Sequence, residues 1–231
     1  MRTRACEPSN ASAKPLRHPE EYKVAMSEPR NQARKIGTVV PGILHWGLHD
    51  DRIDFRSDAH AIKVAGQTVL IDPLPLVEGA LKKLGTVEAI CLTGSCHQRS
   101  AWRYRKQFGG KVYAPQGAVG LEEEPDIWYA TGDRLPGGLK AVHAPGPTAV
   151  HYAFHLERGR RALFCADILM REGKKLRFVS NEYQDDPKRT RETAKSFLQL
   201  QFGILCFDHG APMMKNPRAA IQKALEADER R

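Results

Sequence analysis

Five short apolar runs constrain this chain more than any other feature. They are Thr68-Val-Leu-Ile-Asp72, Glu88-Ala-Ile-Cys-Leu-Thr93, Leu139-Lys-Ala-Val-His143, Ala162-Leu-Phe-Cys-Ala-Asp167 and Gly203-Ile-Leu-Cys-Phe-Asp-His209. Each is too short for a stable helix and rich in Val, Ile, Leu, Phe or Cys, so each reads as a buried strand. Each also stops abruptly at a polar or turn residue. Open sheets place their chemistry where strands end and loops begin. Strands ending in Asp, Thr or Asp-His therefore predict a site assembled along one sheet edge.

A length of 231 residues suits one domain of moderate size with an extra segment. No run approaches the roughly 18 consecutive apolar residues of a membrane span. The N-terminus carries no apolar h-region, which argues against a secretory signal. Of the five cysteines, Cys91, Cys165 and Cys206 sit inside the apolar runs. They read as small core hydrophobes in a reducing cytoplasm rather than as disulfides. The formal charge is +9, but residues 1–35 alone hold eight Lys/Arg against four Asp/Glu, and the rest is scattered. Charge spread in this way affects solubility more than recognition, so no nucleic-acid partner is expected. The oligomeric state has no readable signature.

Residues 1–35 are rich in Pro, Ser, Ala, Glu and Arg without an apolar period, and read as a disordered basic leader. Met26 offers a second start within it. A single domain is expected over 36–231. Ala65-Gly66 reads as a tight hairpin turn, Pro75 to Leu84 as a short helix, and Ser100 to Phe108 as a helix stopped by Gly109-Gly110. Residues 116–137 read as loop, 170–186 as polar and unassigned, and Arg189 to Gln201 as an amphipathic helix. Pro217 opens a final helix. Hairpins, β-α-β, hairpins and then α-β-α suggest an α/β protein with two mixed sheets packed together and helices outside.

The series Val-Leu-Ile-Asp72-Pro, Leu-Thr93, Phe108-Gly109, Lys111-Val-Tyr-Ala, Ala144-Pro-Gly146, Phe164-Cys-Ala-Asp167-Ile-Leu and Asp208-His209-Gly210 resembles the metallo-β-lactamase-fold hydrolases over roughly residues 40–212. These include glyoxalase II-like and lactonase-like enzymes. The resemblance implies an αββα sandwich and a metal site for hydrolysis of a small-molecule substrate. The family holds two metal ions with five histidines and a bridging Asp, through a Thr-His-x-His-x-Asp-His signature and a Pro-Gly-His-Thr turn. At the signature this chain has Gly94, Cys96, Gln98 and Arg99, and at the turn it has Pro147. Of the six ligand positions only Asp167 and His209 match, with Asp72 in a supporting position. Each ion needs about three protein ligands, so no dinuclear site is expected. Cys96 or His97 could complete one zinc site beside Asp167 and His209, because Cys, His and Asp are all chemically acceptable zinc ligands.

Simpler roles are also open to these residues. Asp167 can cap a turn, His209 can serve its own turn, and His97 can face water at a helix start. The strand histidines His45, His60, His143, His151 and His155 read as ordinary residues. Two functions follow. One is a hydrolase of a small ester, lactone, thioester or phosphodiester with a reduced metal site. The other is a non-catalytic binding or scaffold domain that kept the fold and lost the metals. No catalytic residue is assigned from sequence, and no substrate code is legible in the loops.

Overall fold

A computed structural model describes residues 28–229. Strands β1 (Gly37–Val40), β2 (Ile43–Asp50), β3 (Phe55–Val64) and β4 (Gln67–Ile71) form an antiparallel meander. Ala65 and Gly66, between β3 and β4, have φ of 48° and 80°, the left-handed backbone that a two-residue hairpin requires. After α1 (Glu78–Leu81) come β5 (Thr86–Cys91), α2 (Ala101–Phe108), β6 (Lys111–Pro115) and β7 (Ile127–Tyr129). β4 to β7 pair in parallel, so the helices lie in crossovers on one face. The first sheet has the order β1-β2-β3-β4-β5-β6-β7.

The second sheet begins with β8 (Arg134–Leu135), β9 (Leu139–His143), β10 (Tyr152–Leu156) and β11 (Ala162–Phe164), all antiparallel neighbours. A side hairpin of β12 (Met170–Glu172) and β13 (Lys175–Arg177) follows, then α3 (Pro187–Phe197). β14 (Ile204–Cys206) then pairs in parallel with β11, and α4 (Pro217–Asp228) closes the described chain.

Period-2 patterning sorts each strand's side chains between two layers. Ile62, Val69, Ile71, Ala89 and Cys91 face Leu139, Phe154, Phe164 and Cys206 between the sheets. Ala61, Leu70, Ile90 and Leu92 face the other way, toward Leu81, Trp102 and Tyr104. On the far side Leu163, Cys165 and Leu205 pack with Ala194, Phe197, Ile221 and Leu225 of α3 and α4. The result is the expected αββα sandwich. Cys91, Cys165 and Cys206 are free, buried thiols within these layers.

Several boundaries differ from the sequence reading. Residues 28–35 are not a leader. Ala33 is buried and exchanges backbone hydrogen bonds with Pro75 and Val77, and Glu28 accepts from Arg103 Nε at 2.9 Å and from the Ser100 hydroxyl. A few tertiary anchors fix a segment that has no apolar period of its own. Residues 1–27, the rest of the expected leader, lie outside the described residues. The helix expected over Pro75 to Leu84 shrinks to one turn, Glu78–Leu81. α3 begins at Pro187, because the Asp186 side chain caps it by accepting from Arg189 N–H at 2.8 Å, and it ends at Phe197 rather than Gln201. The loops 116–137 and 170–186 contain β7, β8 and the β12–β13 hairpin, which are two or three residues long and too short to leave a pattern.

Candidate functional site

The ends of β4, β5, β11 and β14 meet at one edge of the sandwich and carry Asp72, Thr93, Asp167 and the Asp208-His209 pair just beyond their last paired residues. The backbone there is strained: Asp72, Arg99 and Ala166 have φ of 46°, 37° and 45°, a region non-glycine residues rarely occupy. Each of the three stands at or beside a side chain of the site.

The Ser95–His97 turn aims His97 inward. His97 is 3% exposed, so it does not face water as a helix-start histidine would. Its Nε2 stands 2.9 Å from Asp167 Oδ2 and its Nδ1 2.7 Å from Thr93 Oγ1. Thr93 N–H donates to Asp72 Oδ1 at 2.8 Å, and Thr93 Oγ1–H to Asp72 Oδ2 at 2.6 Å. A hydroxyl has one hydrogen. With Asp72 ionised that hydrogen is committed to Asp72, so Thr93 Oγ1 accepts from His97 Nδ1–H, and Nε2 is the nitrogen offered to the cleft.

Asp167 lies in the Ala166–Ile168 turn after β11. Rather than capping that turn, its carboxylate reaches two imidazoles. Besides His97 on Oδ2, His209 Nε2 is 3.3 Å from Oδ1, which makes no hydrogen bond of good geometry. His209 is held from behind, its Nδ1–H donating to Arg56 O at 2.6 Å. The loop that carries it is fastened to β3: Asp58 N–H donates to Asp208 O (2.7 Å) and Gly210 N–H to Asp58 Oδ2 (2.6 Å). His151 is buried beside them. Its Nδ1–H donates to Ala144 O (2.9 Å), and its Nε2 accepts from Asp167 N–H at 3.4 Å.

Burial opposes charge on His97, but the Asp167 carboxylate, then Cys96 and Asp208, outweigh it and hold the imidazole well above its usual range. Burial likewise opposes charge on His209, and its contact with Asp167 raises it instead. Burial would raise Asp167, but the two imidazoles keep its carboxyl well below the ordinary range. Burial, then the nearby Asp208 carboxylate, push Asp72 up to about 7. His151 is pushed down to about 4 by burial, so it is neutral, as its two hydrogen bonds require.

Two groups of potential metal ligands share His97. In the outer group Cys96, His97 and Asp167 each offer one ligand atom, all within 4.8 Å of one another. Cys96 is exposed and the other two are buried or nearly so. In the inner group Asp72, His97 and Asp208 do the same, and all three are buried. The outer donors, with Asp167 Oδ1 held by no hydrogen bond of good geometry, fit one zinc-like ion. The inner group already holds a cation. Arg99 is 4% exposed, with Nη2 3.1 Å from Asp208 Oδ2 and Nη1–H donating to the carbonyls of Asp58 (3.0 Å) and Asp72 (3.1 Å).

All five residues singled out from sequence, Asp72, Cys96, His97, Asp167 and His209, therefore converge. Thr93 and Asp208 were expected at the site as strand ends but without a role, while Arg99 and His151 were missed as members of it, although each lies in or near one of its motifs. Asp58 was missed outright, because nothing in β3 marks it. Gln98 turns away: its Oε1 accepts from Trp102 Nε1–H (2.7 Å) and Glu122 N–H (2.8 Å). Pro147 is buried with its carbonyl accepting from Asp185 N–H at 3.1 Å, which ties the turn to the start of α3. His45 contacts Asp58 at 2.6 Å, while His143 and His155 bond backbone carbonyls away from the site.

The family profile described as metallo-beta-lactamase superfamily matches residues 39–186. No curated protein matches this sequence. Among solved structures, DIM-1 metallo-beta-lactamase exposed to ceftazidime superposes with a TM-score of 0.67 at 15% identity, covering 86% of this chain and 98% of its own. A metallo-beta-lactamase family protein from Thermus thermophilus gives 0.64 at 16% identity, over 84% and 81%. An archaeal metallo-beta-lactamase superfamily protein from Sulfolobus tokodaii gives 0.58 at 15%, over 74% and 79%. At these identities the structures attest the fold. Among the described residues no helix is long and apolar enough to cross a membrane.

Proposed function

This chain belongs to the metallo-beta-lactamase superfamily, and from that premise we propose that it is a hydrolase of a small ester, lactone, thioester or phosphodiester working with one zinc ion rather than two. Cys96, His97 and Asp167 would hold the ion, with His209 beside Asp167. The observation that carries this reading is the outer group: three chemically suitable ligand atoms within 4.8 Å, one of them on an exposed side chain. A zinc ion bound there would lower the pKa of a bound water and polarise the scissile group.

The remaining residues prepare that site. Asp72 and Thr93 fix the His97 tautomer so that Nε2 faces the cleft, the arrangement by which outer partners orient metal-binding histidines. Arg56 O does the same for His209 by taking its Nδ1–H. His151 accepts from the Asp167 backbone and so keeps its carboxylate turned toward both imidazoles. Cys96 lies on the open side, where a small substrate would approach.

A second reading has its own support. The Asp72, Asp167 and Asp208 carboxylates already face Arg99, His97 and His209, so the site is neutralised by its own side chains and would suit a metal-free binding domain. Elemental analysis of protein purified without chelators, followed by zinc titration of stripped protein, separates the two. About one zinc per chain, with hydrolysis of p-nitrophenyl acetate, a simple lactone or bis(p-nitrophenyl) phosphate lost on chelation, supports the hydrolase. No zinc at purification and none taken up on titration would leave the binding domain.

A further inference from the structure

The inner group poses a separate question, because a buried pair of carboxylates requires a cation close by. Asp72 and Asp208 are 0% and 3% exposed, and both point at His97 Nδ1, at 3.7 and 3.4 Å. Each Asp72 oxygen accepts one hydrogen bond from Thr93 and keeps a further lone pair. Asp208 Oδ2 accepts no hydrogen bond of good geometry from any described residue, and its nearest cation is Arg99 Nη2 at 3.1 Å. The guanidinium is fixed by two carbonyls, Asp58 O and Asp72 O, so it cannot swing out to solvent without leaving both unpaired. In sequence Arg99 stands where the resembling family's signature has its third histidine.

We propose that Arg99 is the resident cation of the inner group: it does in place the charge compensation that a second metal ion would otherwise supply, and thereby limits the cleft to one ion. The number of ions in the outer group rests on the hydrolase reading above; the role of Arg99 in the inner group does not. A fixed positive charge among Asp72, His97 and Asp208 repels a divalent cation and already occupies the Asp208 oxygen such a cation would need. Without it, Asp72, His97 and Asp208 offer three ligand atoms within 4.8 Å of one another, His97 through Nδ1 once zinc displaces the proton that Nδ1 gives to Thr93, as a bridging imidazolate when the outer ion is also bound.

The test compares the wild-type full chain with Arg99→Met for bound zinc and for melting temperature, in chelator and in excess zinc. The variant is expected to bind one more zinc per chain than wild type. Its melting temperature in chelator should fall on the order of 10 °C, as when one partner of a buried pair is removed, and zinc should restore it. Because the count is relative, a wild type with no zinc defeats the one-zinc hydrolase and leaves this test intact, the variant then binding one. A folded Arg99→Met with the wild-type zinc count overturns the proposal. If Arg99→Met does not fold in chelator, Arg99→Met with Asp208→Asn removes both charges; it should fold and keep the wild-type zinc count, while zinc should rescue the single variant. Failure of zinc to rescue the single variant, an extra zinc in the double variant, or failure of the double variant to fold would each show that Arg99 acts through its hydrogen bonds and packing and not as the cation of this group.

Discussion

His97 Nε2 lies 2.9 Å from Asp167 Oδ2, although the two residues are 70 positions apart and follow strands of different sheets. His97 follows β5 in the first sheet and Asp167 follows β11 in the second. The contact exists because the sandwich brings the ends of both strands to one edge. It joins the candidate ligands to the supporting line Asp72–Thr93–His97.

Thr93 is the middle of that line. Thr93→Val removes the hydroxyl that orients His97 and leaves Asp72 Oδ2 without its partner. Zinc affinity, measured by competition with a chromophoric chelator, should fall by about 10–100-fold. Thr93→Ser should recover most of it, since serine restores the hydroxyl. Equal affinities for the Val and Ser variants would remove Thr93 and Asp72 from the account of the site.

Asp58 fastens the His209 loop to β3, and its charge state should be visible in acid. Burial would raise its carboxyl, but hydrogen bonds from His45 and Arg56 outweigh that and hold it well below the usual carboxylate range. With the folded value depressed below the unfolded value of about 3.9, its stabilisation is complete above that pH and is lost as pH falls toward the folded value. Melting temperatures between pH 5 and pH 2 should therefore drop less steeply for Asp58→Asn than for wild type. Parallel curves would mean that Asp58 contributes nothing through ionisation.

Gly146 shows why the Ala-Pro-Gly turn keeps a glycine without a metal ligand after it. Its φ is 137°, and an added Cβ would stand 2.6 Å from Thr190 Cα in α3. Gly146→Ala should destabilise the fold by more than about 2 kcal/mol, from backbone strain and overpacking together. Gly66→Ala, at φ 80° with nothing within 4 Å of the new Cβ, should cost less. Urea unfolding of the two variants gives the comparison.

The N-terminal boundary is testable by truncation. A chain starting at Met26 keeps Glu28 and Ala33 and should melt at the wild-type temperature. One starting at Ile36 loses the buried Ala33, its backbone hydrogen bonds to Pro75 and Val77, and the Glu28–Arg103 ion pair. It should melt several degrees lower, at about 2–4 °C per kcal/mol for a domain of this size. Equal melting temperatures for the two would place the domain boundary at Ile36 after all.

By itself the sequence determined the layers and the location of the site. Short continuous apolar strands can be buried only in a sheet covered on both faces, and their polar ends gather at its edge. Gly109 behind α2 and Pro217 at the head of α4 act through local backbone geometry, so they too were legible. Tertiary structure decided what each edge residue does. The direction of His97 depends on a hydroxyl and a carboxylate that come from separate strand ends. Asp208 becomes a member of an ion group only because Arg99 is folded in beside it, and a buried guanidinium cannot be told from a surface one by its letter. Asp58 reaches the site from the middle of β3, where alternation predicts a face but not a partner. Ala33 and Glu28 are placed by a few contacts distant in sequence. Such residues owe their roles to long-range pairing, which composition and periodicity do not encode, whereas strands and caps owe theirs to neighbours in the chain.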